Sequence, residues 1–225
     1  FIKRHSKILS KSAKKITFVL TAIIIGLIFA THVNNDIKVQ TNKLLMTCLP
    51  YFVFIMYIIN RGQVVTQAMF MNCDHSMLTY SFYKTPKAIL GLFKERLKSV
   101  IFINLIPALV LGIGLAIILY STGGTDNNIN YLIIFTSITA MSIFFSIHHL
   151  ILYYLLQPYN VYSETKSSTF SIANALTYIL CYSMLKIQIP TIYFGIVTIG
   201  FAIMYCIISL VLVYKLAPRT FRLRI

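Results

Sequence analysis

The chain has 225 residues, of which 58% are hydrophobic and only 11% are charged. A soluble domain of this size cannot bury so much apolar surface, whereas a lipid bilayer accepts it, so the composition excludes a soluble globular protein. The net charge of +15 would suggest a nucleic-acid partner in a soluble protein; here the basic residues lie between apolar runs, so we expect them to face anionic lipid headgroups and to bind no nucleic acid.

Residues 1–15 are predicted to form an amphipathic helix that lies on the membrane surface. Apolar and small side chains recur there with helical spacing, and most of the basic side chains fall on the opposite face. The residues of the less polar face are Phe1, Ile2, His5, Ile8, Leu9, Ser12 and Ala13. A solvated basic tail is the alternative that remains open.

Six apolar runs follow, each close to the length that a helix needs to cross a bilayer. A hydrocarbon core of about 30 Å takes roughly 20 helical residues, with about 17 as the lower limit. The predicted spans are Ile16–Val33, Leu44–Ile59, Val100–Tyr120, Tyr131–Leu156, Phe170–Leu185 and Pro190–Tyr214. Brief polar connections are predicted at 34–43, 121–130 and 186–189. The predicted fold class is an all-α membrane protein, a single domain with six transmembrane helices.

The distribution of positive charge predicts the orientation of these spans. With a cytoplasmic N-terminus, the inside segments are 1–15, 60–99, 157–169 and 215–225. All Lys and Arg residues then lie inside except Lys38, Lys43 and Lys186. Because cytoplasmic loops of membrane proteins are enriched in Lys and Arg, this asymmetry favours both termini in the cytoplasm.

The sequence carries no recognisable catalytic motif. It lacks the GxxxxGK[ST] phosphate loop, GxSxG and HExxH. All of its acidic residues lie in connecting segments, at Asp36, Asp74, Glu95, Asp126 and Glu164. Two close pairs, Cys73 with His75 and His148 with His149, are weak zinc signals because neither has further ligands. We therefore expect no catalytic residue, no metal and no cofactor in this chain, and an energy source outside it.

The segment 61–98 is the one predicted internal loop that is long enough to contact a partner protein. Asp74 and Ser76 are good caps for a short helix, and Thr85-Pro86 has the pattern of an N-cap followed by proline at the first helical position. The aromatic residues between them, which we expect to be exposed, are Tyr80, Phe82 and Tyr83. Two roles remain open for them, filling a groove on a soluble subunit or sitting at the headgroup boundary.

A surface helix, six spans and a transverse helix between the second and third spans resemble the permease subunits of ABC-2 type exporters. The sequence-level resemblance lies mostly in residues 72–110, in Asp74-His75-Ser76-Met77-Leu78-Thr79-Tyr80-Ser81-Phe82-Tyr83-Lys84-Thr85-Pro86 followed by Ala88-Ile89-Leu90. In that family an intracellular coupling helix docks in a cleft of the ATPase subunit. The docking residues that the resemblance implies are Asp74, His75, Met77, Leu78, Tyr80, Phe82 and Tyr83, with a second, weaker contact at Gln157–Ser168.

The resemblance also implies partners, cargo and location. The expected partners are two copies of a P-loop ATPase that binds ATP and Mg, a second permease copy or a paralogue, and membrane lipids. Within the family the chain looks like the permeases of staphylococcal exporters of phenol-soluble modulins, which are amphipathic peptide toxins, and its Ile-, Asn- and Lys-rich composition is typical of low-GC Gram-positive bacteria. The implied function is export across the cytoplasmic membrane without enzyme activity in this chain. A membrane scaffold or immunity protein and an intramembrane enzyme are the alternatives.

Polar side chains recur on two of the predicted spans and form stripes. On the fourth span they are Thr139, Ser142, Ser146, His149 and Tyr153, at spacings of three and four residues. On the fifth span they are Ser171, Asn174 and Tyr178, and Asn104 interrupts the third. Such stripes face protein or a water-filled path and not lipid, so they indicate either a substrate path or helix–helix packing.

Overall fold

The computed structural model describes residues 2–80, 82–160 and 167–223. Of these described residues, 86% are helical. The helices of the described residues are α1 (Ile2–Val33), α2 (Asn35–Thr47), α3 (Tyr51–Ile59), α4 (Gly62–Met69), a π-helix (Phe70–Asp74), α5 (His75–Met77), a 3-10 turn (Phe82–Lys84), α6 (Pro86–Ser121), α7 (Ile129–Leu156), α8 (Ser168–Ser183), a second 3-10 turn (Met184–Lys186) and α9 (Thr191–Thr220).

Among the described residues, four helices are long and apolar enough to cross a membrane. They are α1 from Lys11 onwards, α6, α7 and α9. A fifth candidate is the pair formed by α2 and residues Tyr51–Met77, which meet at an angle of 86°. Several long apolar helices of this kind identify a multi-pass membrane protein, and the helical fold class predicted from the sequence is confirmed at this level.

The second predicted span is not one straight helix, because it breaks at Pro50. Proline has no N–H to donate and its ring clashes with the carbonyl four residues earlier, so α2 ends at Thr47 and α3 begins at Tyr51. The predicted loop 34–43 is also wrong, since most of it belongs to α2. Asn34 caps that helix, its Oδ1 accepting the N–H of Asp36 at 2.8 Å.

Two further boundaries differ from the prediction. The fifth predicted span corresponds to α8, which ends at Ser183 after 16 residues and continues only as a 3-10 turn. A separate surface helix over 1–15 is not observed as such, because α1 runs unbroken from Ile2 to Val33. Neither Pro nor Gly occurs before Gly26 to interrupt it.

The longest helix, α6, has 36 residues and packs against α1, α7 and α9. At a rise of 1.5 Å per residue it is about 54 Å long, well beyond a hydrocarbon core of about 30 Å. The helix is therefore about 24 Å longer than the hydrocarbon layer that it would cross. Pro86 begins the helix, after an extended Thr85, as the Thr-Pro pair predicts.

Connecting segments meet at two opposite ends of the bundle. At the C-terminal end of α6, Asn42 Nδ2 donates to the carbonyl of Gly124 at 3.0 Å, and Thr191 Oγ1 donates to the carbonyl of Leu45 at 2.8 Å. At the N-terminal end of α6, Thr220 Oγ1 donates to the carbonyl of Tyr154 at 3.2 Å. The segment between α4 and α6 lies at this second end.

Candidate functional site

A buried ion pair lies at the N-terminal end of α6. Asp74 is fully buried, and its carboxylate accepts hydrogen bonds from both terminal nitrogens of Arg96, Nη1 at 2.7 Å. The hydroxyl of Tyr153 donates to Asp74 Oδ2 at 2.5 Å. Arg96 also donates to the hydroxyl of Tyr154 at 2.9 Å, and its guanidinium carbon lies 5.6 Å from the centre of that ring. We call these four residues the ion-pair cluster.

The π-helix explains why an acidic residue faces inward here. On this face Val65 and Met69 are buried in α4, and Phe70 is the buried first residue of the π-helix. With α-helical spacing from Met69, the next buried position would be Cys73. A π-helical turn contains more residues, so Asp74 takes the buried position instead, and Cys73 is half-buried. The expectation that Asp74 caps a short helix is therefore wrong: its side chain makes no capping hydrogen bond to α5, because its oxygens bind Arg96 and Tyr153.

Aromatic rings exclude water from the ion-pair cluster. Phe221 stacks on Tyr154 with ring centres 4.3 Å apart and an interplanar angle of 8°. Phe93, one turn before Arg96 on α6, meets the same tyrosine edge to face at 5.2 Å. Since charge-assisted bonds are stronger in such dry surroundings, the cluster ties the segment after α4 to α6, to α7 and to the chain after α9.

The residues predicted to dock on an ATPase divide into buried and exposed sets. Leu78 is buried, and Tyr83 is 1% exposed. The prediction that Tyr83 is exposed is wrong, because its ring fits against Phe221 and its hydroxyl donates to the carbonyl of Leu78 at 3.3 Å. Burial raises the pKa of Tyr83, with Arg222 acting in the opposite direction, so this hydroxyl stays protonated as a donor at neutral pH.

The exposed part of this segment is its tip. Tyr80 is 61% exposed, as predicted, and Ser76, Thr79 and Lys84 are exposed around it. His75 and Met77 are half-buried, His75 lying edge to face with Phe70 at 5.9 Å. The side chain of Phe82 lies outside the described part of the structure.

The second predicted contact, Gln157–Ser168, is described only at its ends. Residues 161–166 lie outside the described residues. Gln157 is fully buried and takes a left-handed conformation, with φ of 33°, directly after α7. Tyr159 is buried too, and it stacks on Phe70 at 4.9 Å. Residues 157–160 cover the ion-pair cluster from the α7 side, with the ring of Tyr159 centred 5.9 Å from that of Tyr153.

Three of the predicted polar residues, Asn104 of the third span and Ser142 and Ser146 of the fourth, belong to a second buried cluster at the break between α3 and α4. Asn104 Oδ1 accepts the backbone N–H of Arg61 at 2.8 Å, and its Nδ2 donates to Ser146 Oγ at 3.0 Å. Ser142 Oγ donates to the carbonyl of Asn104 at 3.1 Å. Asn60 completes the set, accepting the N–H of Gly62 at 2.8 Å. We call this the amide cluster.

The amide cluster satisfies backbone groups that the helix break exposes. Gly62 allows α4 to approach α7, since a Cβ there would lie 2.7 Å from His149 Cβ. His149 and Tyr153, from the same predicted stripe, are buried as well. The buried residues of this stripe thus pack against α3, α4 and α6 within the chain.

The remaining stripe residues lie elsewhere. Thr139 is half-buried and bonds to the carbonyl of Phe135 in its own helix at 3.0 Å. Ser171 and Tyr178 on α8 are exposed. Asn174 is half-buried, and its Oδ1 is buried with no hydrogen-bond partner among the described residues. The structure therefore does not bring the two stripes together.

His148 on α7 contacts two further helices, α8 and α9. Its Nδ1 lies 2.8 Å from the hydroxyl of Tyr205 on α9, and its Nε2 lies 3.0 Å from Thr177 Oγ1 on α8. Within the described residues no group of three His, Cys, Asp or Glu side chains could hold a metal ion.

Sequence reasoning missed Arg96, Tyr154 and Asn60. Arg96 is hidden in the basic run Lys94–Lys98, but it shares helical spacing with Ile89, Phe93 and Val100, which are buried. That spacing was the available signal. Asn60 ends an apolar run and looks like an ordinary loop residue, so no local pattern predicts its long-range bonds.

Comparisons of the chain with protein-family models, with characterised proteins and with solved structures find no match.

Proposed function

We propose that this chain is the permease subunit of an ATP-driven exporter of the ABC-2 type. It moves a hydrophobic or amphipathic substrate, specifically an amphipathic peptide toxin, out of the cell. Separate ATPase subunits bind ATP and Mg and supply the energy. The observation that carries this proposal is the exposed tip around Tyr80, which is fixed to α6 and α7 through the buried Asp74–Arg96 pair.

Such an arrangement suits the transmission of force from a soluble partner. Only a few side chains of the tip are exposed, whereas Leu78 and Tyr83 anchor it. A push on the tip therefore acts on Arg96 near the start of α6 and on Tyr153 near the end of α7. Because both helices are long and tightly packed, a movement at this end reaches the membrane part of the bundle.

Six passes with both termini in the cytoplasm are part of the proposal. Residues 34–50, 121–131 and 184–191 are joined by hydrogen bonds and contacts at the C-terminal end of α6. The chain reaches the opposite end at residues 74–96 and 153–160, and again after α9. These alternations support one crossing each by α1, Tyr51–Met77, α6, α7, α8 and α9, with α8 as a short crossing.

This topology predicts which positions a membrane-impermeant thiol reagent labels in intact cells. In a variant without its four native cysteines, Asp126→Cys should be labelled from outside, and Lys84→Cys only after the membrane is opened. Both side chains are exposed. Labelling of Lys84→Cys in intact cells, or protection of Asp126→Cys, would contradict the proposed orientation.

Replacing the exposed tyrosine of the tip should weaken binding of the ATPase. We expect Tyr80→Glu to lower the affinity for the partner P-loop ATPase by about tenfold or more, since buried aromatic anchors carry much of an interface's energy. The measurement is co-purification followed by titration in detergent. Tyr80→Phe should retain binding.

A control separates docking from a general change of charge. Lys215→Glu alters the charge of an exposed side chain at the same end of the bundle, but outside the predicted docking residues. It should bind the ATPase as the unaltered chain does. Equal affinities for Tyr80→Glu and Lys215→Glu would remove the tip from the interface.

A further inference from the structure

A long apolar groove runs between α1, α3 and α6. Its volume is about 630 Å³. The α1 side chains that line it begin at Lys15 and Ile16 and recur at helical spacing as far as Leu27, and isoleucines of α3 and leucines of α6 form the other walls. Among the lining residues that the structure describes, two are charged, Lys15 and Arg61, and both are cations.

The two cations lie at the same depth. Ile24 packs on Gly114, where a Cβ would lie 2.4 Å from Ile24 Cδ1, so α1 and α6 are aligned at this level. Lys15 is nine residues before Ile24, which places it beside Asn104 and Leu105 of α6 because both helices rise equally. Asn104 holds the backbone of Arg61 at 2.8 Å. The groove therefore has a cationic end and an apolar remainder.

The Arg61 side chain has unused hydrogen-bonding capacity at that end. Its Nε is buried and has no partner among the described residues. A buried donor of this kind is costly unless a ligand accepts its hydrogen bond. Arginine and lysine together are suited to an anionic oxygen ligand such as a phosphate.

The dimensions of the groove fit one lipid chain. From Lys15 to Leu27 the α1 axis rises about 18 Å, and one leaflet contributes about 15 Å of a hydrocarbon core of about 30 Å. We infer that this groove binds an anionic phospholipid, with its phosphate between Lys15 and Arg61 and one acyl chain along α1. The lipid comes from the leaflet at the N-terminal end of α6, and the inference does not depend on transport.

Quenching by brominated lipids tests this directly, since the chain contains no tryptophan. Val19→Trp places a single fluorophore in the groove, whereas Phe18→Trp places one on the adjacent exposed position outside it. Each variant is reconstituted in phosphatidylcholine that contains dibrominated phosphatidylglycerol or, at equal mole fraction, dibrominated phosphatidylcholine.

At Val19→Trp we expect competition curves to give phosphatidylglycerol about a thirtyfold preference, the scale of two cations near an anionic headgroup. At Phe18→Trp the two brominated lipids should quench equally. Adding Lys15→Gln or Arg61→Gln should remove most of the preference at Val19→Trp, whereas Lys14→Gln, an exposed lysine outside the groove, should preserve it.

Equal quenching of Val19→Trp by both lipids would overturn the inference. Protection of Val19→Trp from both lipids would overturn it as well, and would indicate that a second protein copy covers the groove. A preference that survives Lys15→Gln and Arg61→Gln would show that these side chains do not hold the headgroup.

Discussion

Asp74→Asn should lower the unfolding temperature of the purified protein by about 10 °C. The substitution removes the charge that compensates Arg96, whose guanidinium remains buried among Tyr153, Tyr154 and Phe221. Removing one partner of a buried ion pair costs about 3–5 kcal/mol, because the other charge is left without compensation. For a chain of this size that free energy corresponds to a shift of this order.

A thiol-reactive dye gives the measurement, because Cys48 and Cys181 are buried and react only when the protein opens. Glu95→Gln is the matched control. Glu95 lies next to Arg96 and pairs with Lys98 at 2.7 Å, but both side chains are more than 70% exposed. An exposed pair contributes about 0–1 kcal/mol, so the control should unfold within about 2 °C of the unaltered chain.

Replacing both charged residues at once shows whether the loss of stability comes from the uncompensated buried charge of Arg96 or from the loss of packing at Asp74. The double variant Asp74→Leu with Arg96→Met leaves no buried charge and should recover most of the stability that Asp74→Asn loses. If Asp74→Asn unfolds together with Glu95→Gln, the pair is not buried in solution. If the double variant is no more stable than Asp74→Asn, the loss comes from packing and not from an uncompensated charge.

Length and hydropathy are enough to predict the helices whose apolar runs are long. α6, α7 and α9 each contain an apolar window well beyond the requirement for a span, and α6 continues through Pro107. In two other places a local feature outweighs the hydropathy, and there the prediction is wrong. At Pro50 the missing N–H outweighs the apolar composition of Leu44–Ile59, and at Asn34 a side-chain cap starts a helix in a segment that looks like a loop.

The sequence predicts where in the chain the candidate site lies, but not which residues contact each other there. Asp74 and Tyr80 stand out as polar and aromatic residues in the one long internal loop. The partners of Asp74, Arg96 and Tyr153, are 22 and 79 residues away in the sequence, and no local sequence pattern predicts these contacts. The π-helix also changes which residues lie on the buried face of this segment. A periodicity of 3.6 residues per turn, continued from α4, therefore assigns Asp74 to the exposed face, although it is buried. Tyr80 and Tyr83 lie in an irregular segment, where no periodicity separates the exposed ring from the buried one.

The amide cluster offers a test of how the membrane part tolerates a broken helix. Asn104→Leu should lower the unfolding temperature by about 5–10 °C. Leucine has a similar volume, but it removes the acceptor of the Arg61 N–H and a donor to Ser146. Each buried polar group left without a partner costs about 1–3 kcal/mol.

Thr139→Val is the control for this substitution, since it also makes a polar residue of α7 apolar. The hydroxyl of Thr139 bonds only to the carbonyl of Phe135 in its own helix, at 3.0 Å, so its loss leaves no donor unpaired. We expect a shift within about 2 °C, measured with the same dye.

Ser146→Ala combined with Asn104→Leu should destabilise the protein by less than the sum of the two single changes, because the two residues share a hydrogen bond. Strict additivity, or equal shifts for Asn104→Leu and Thr139→Val, would mean that the break between α3 and α4 is stabilised by packing and not by the amide of Asn104.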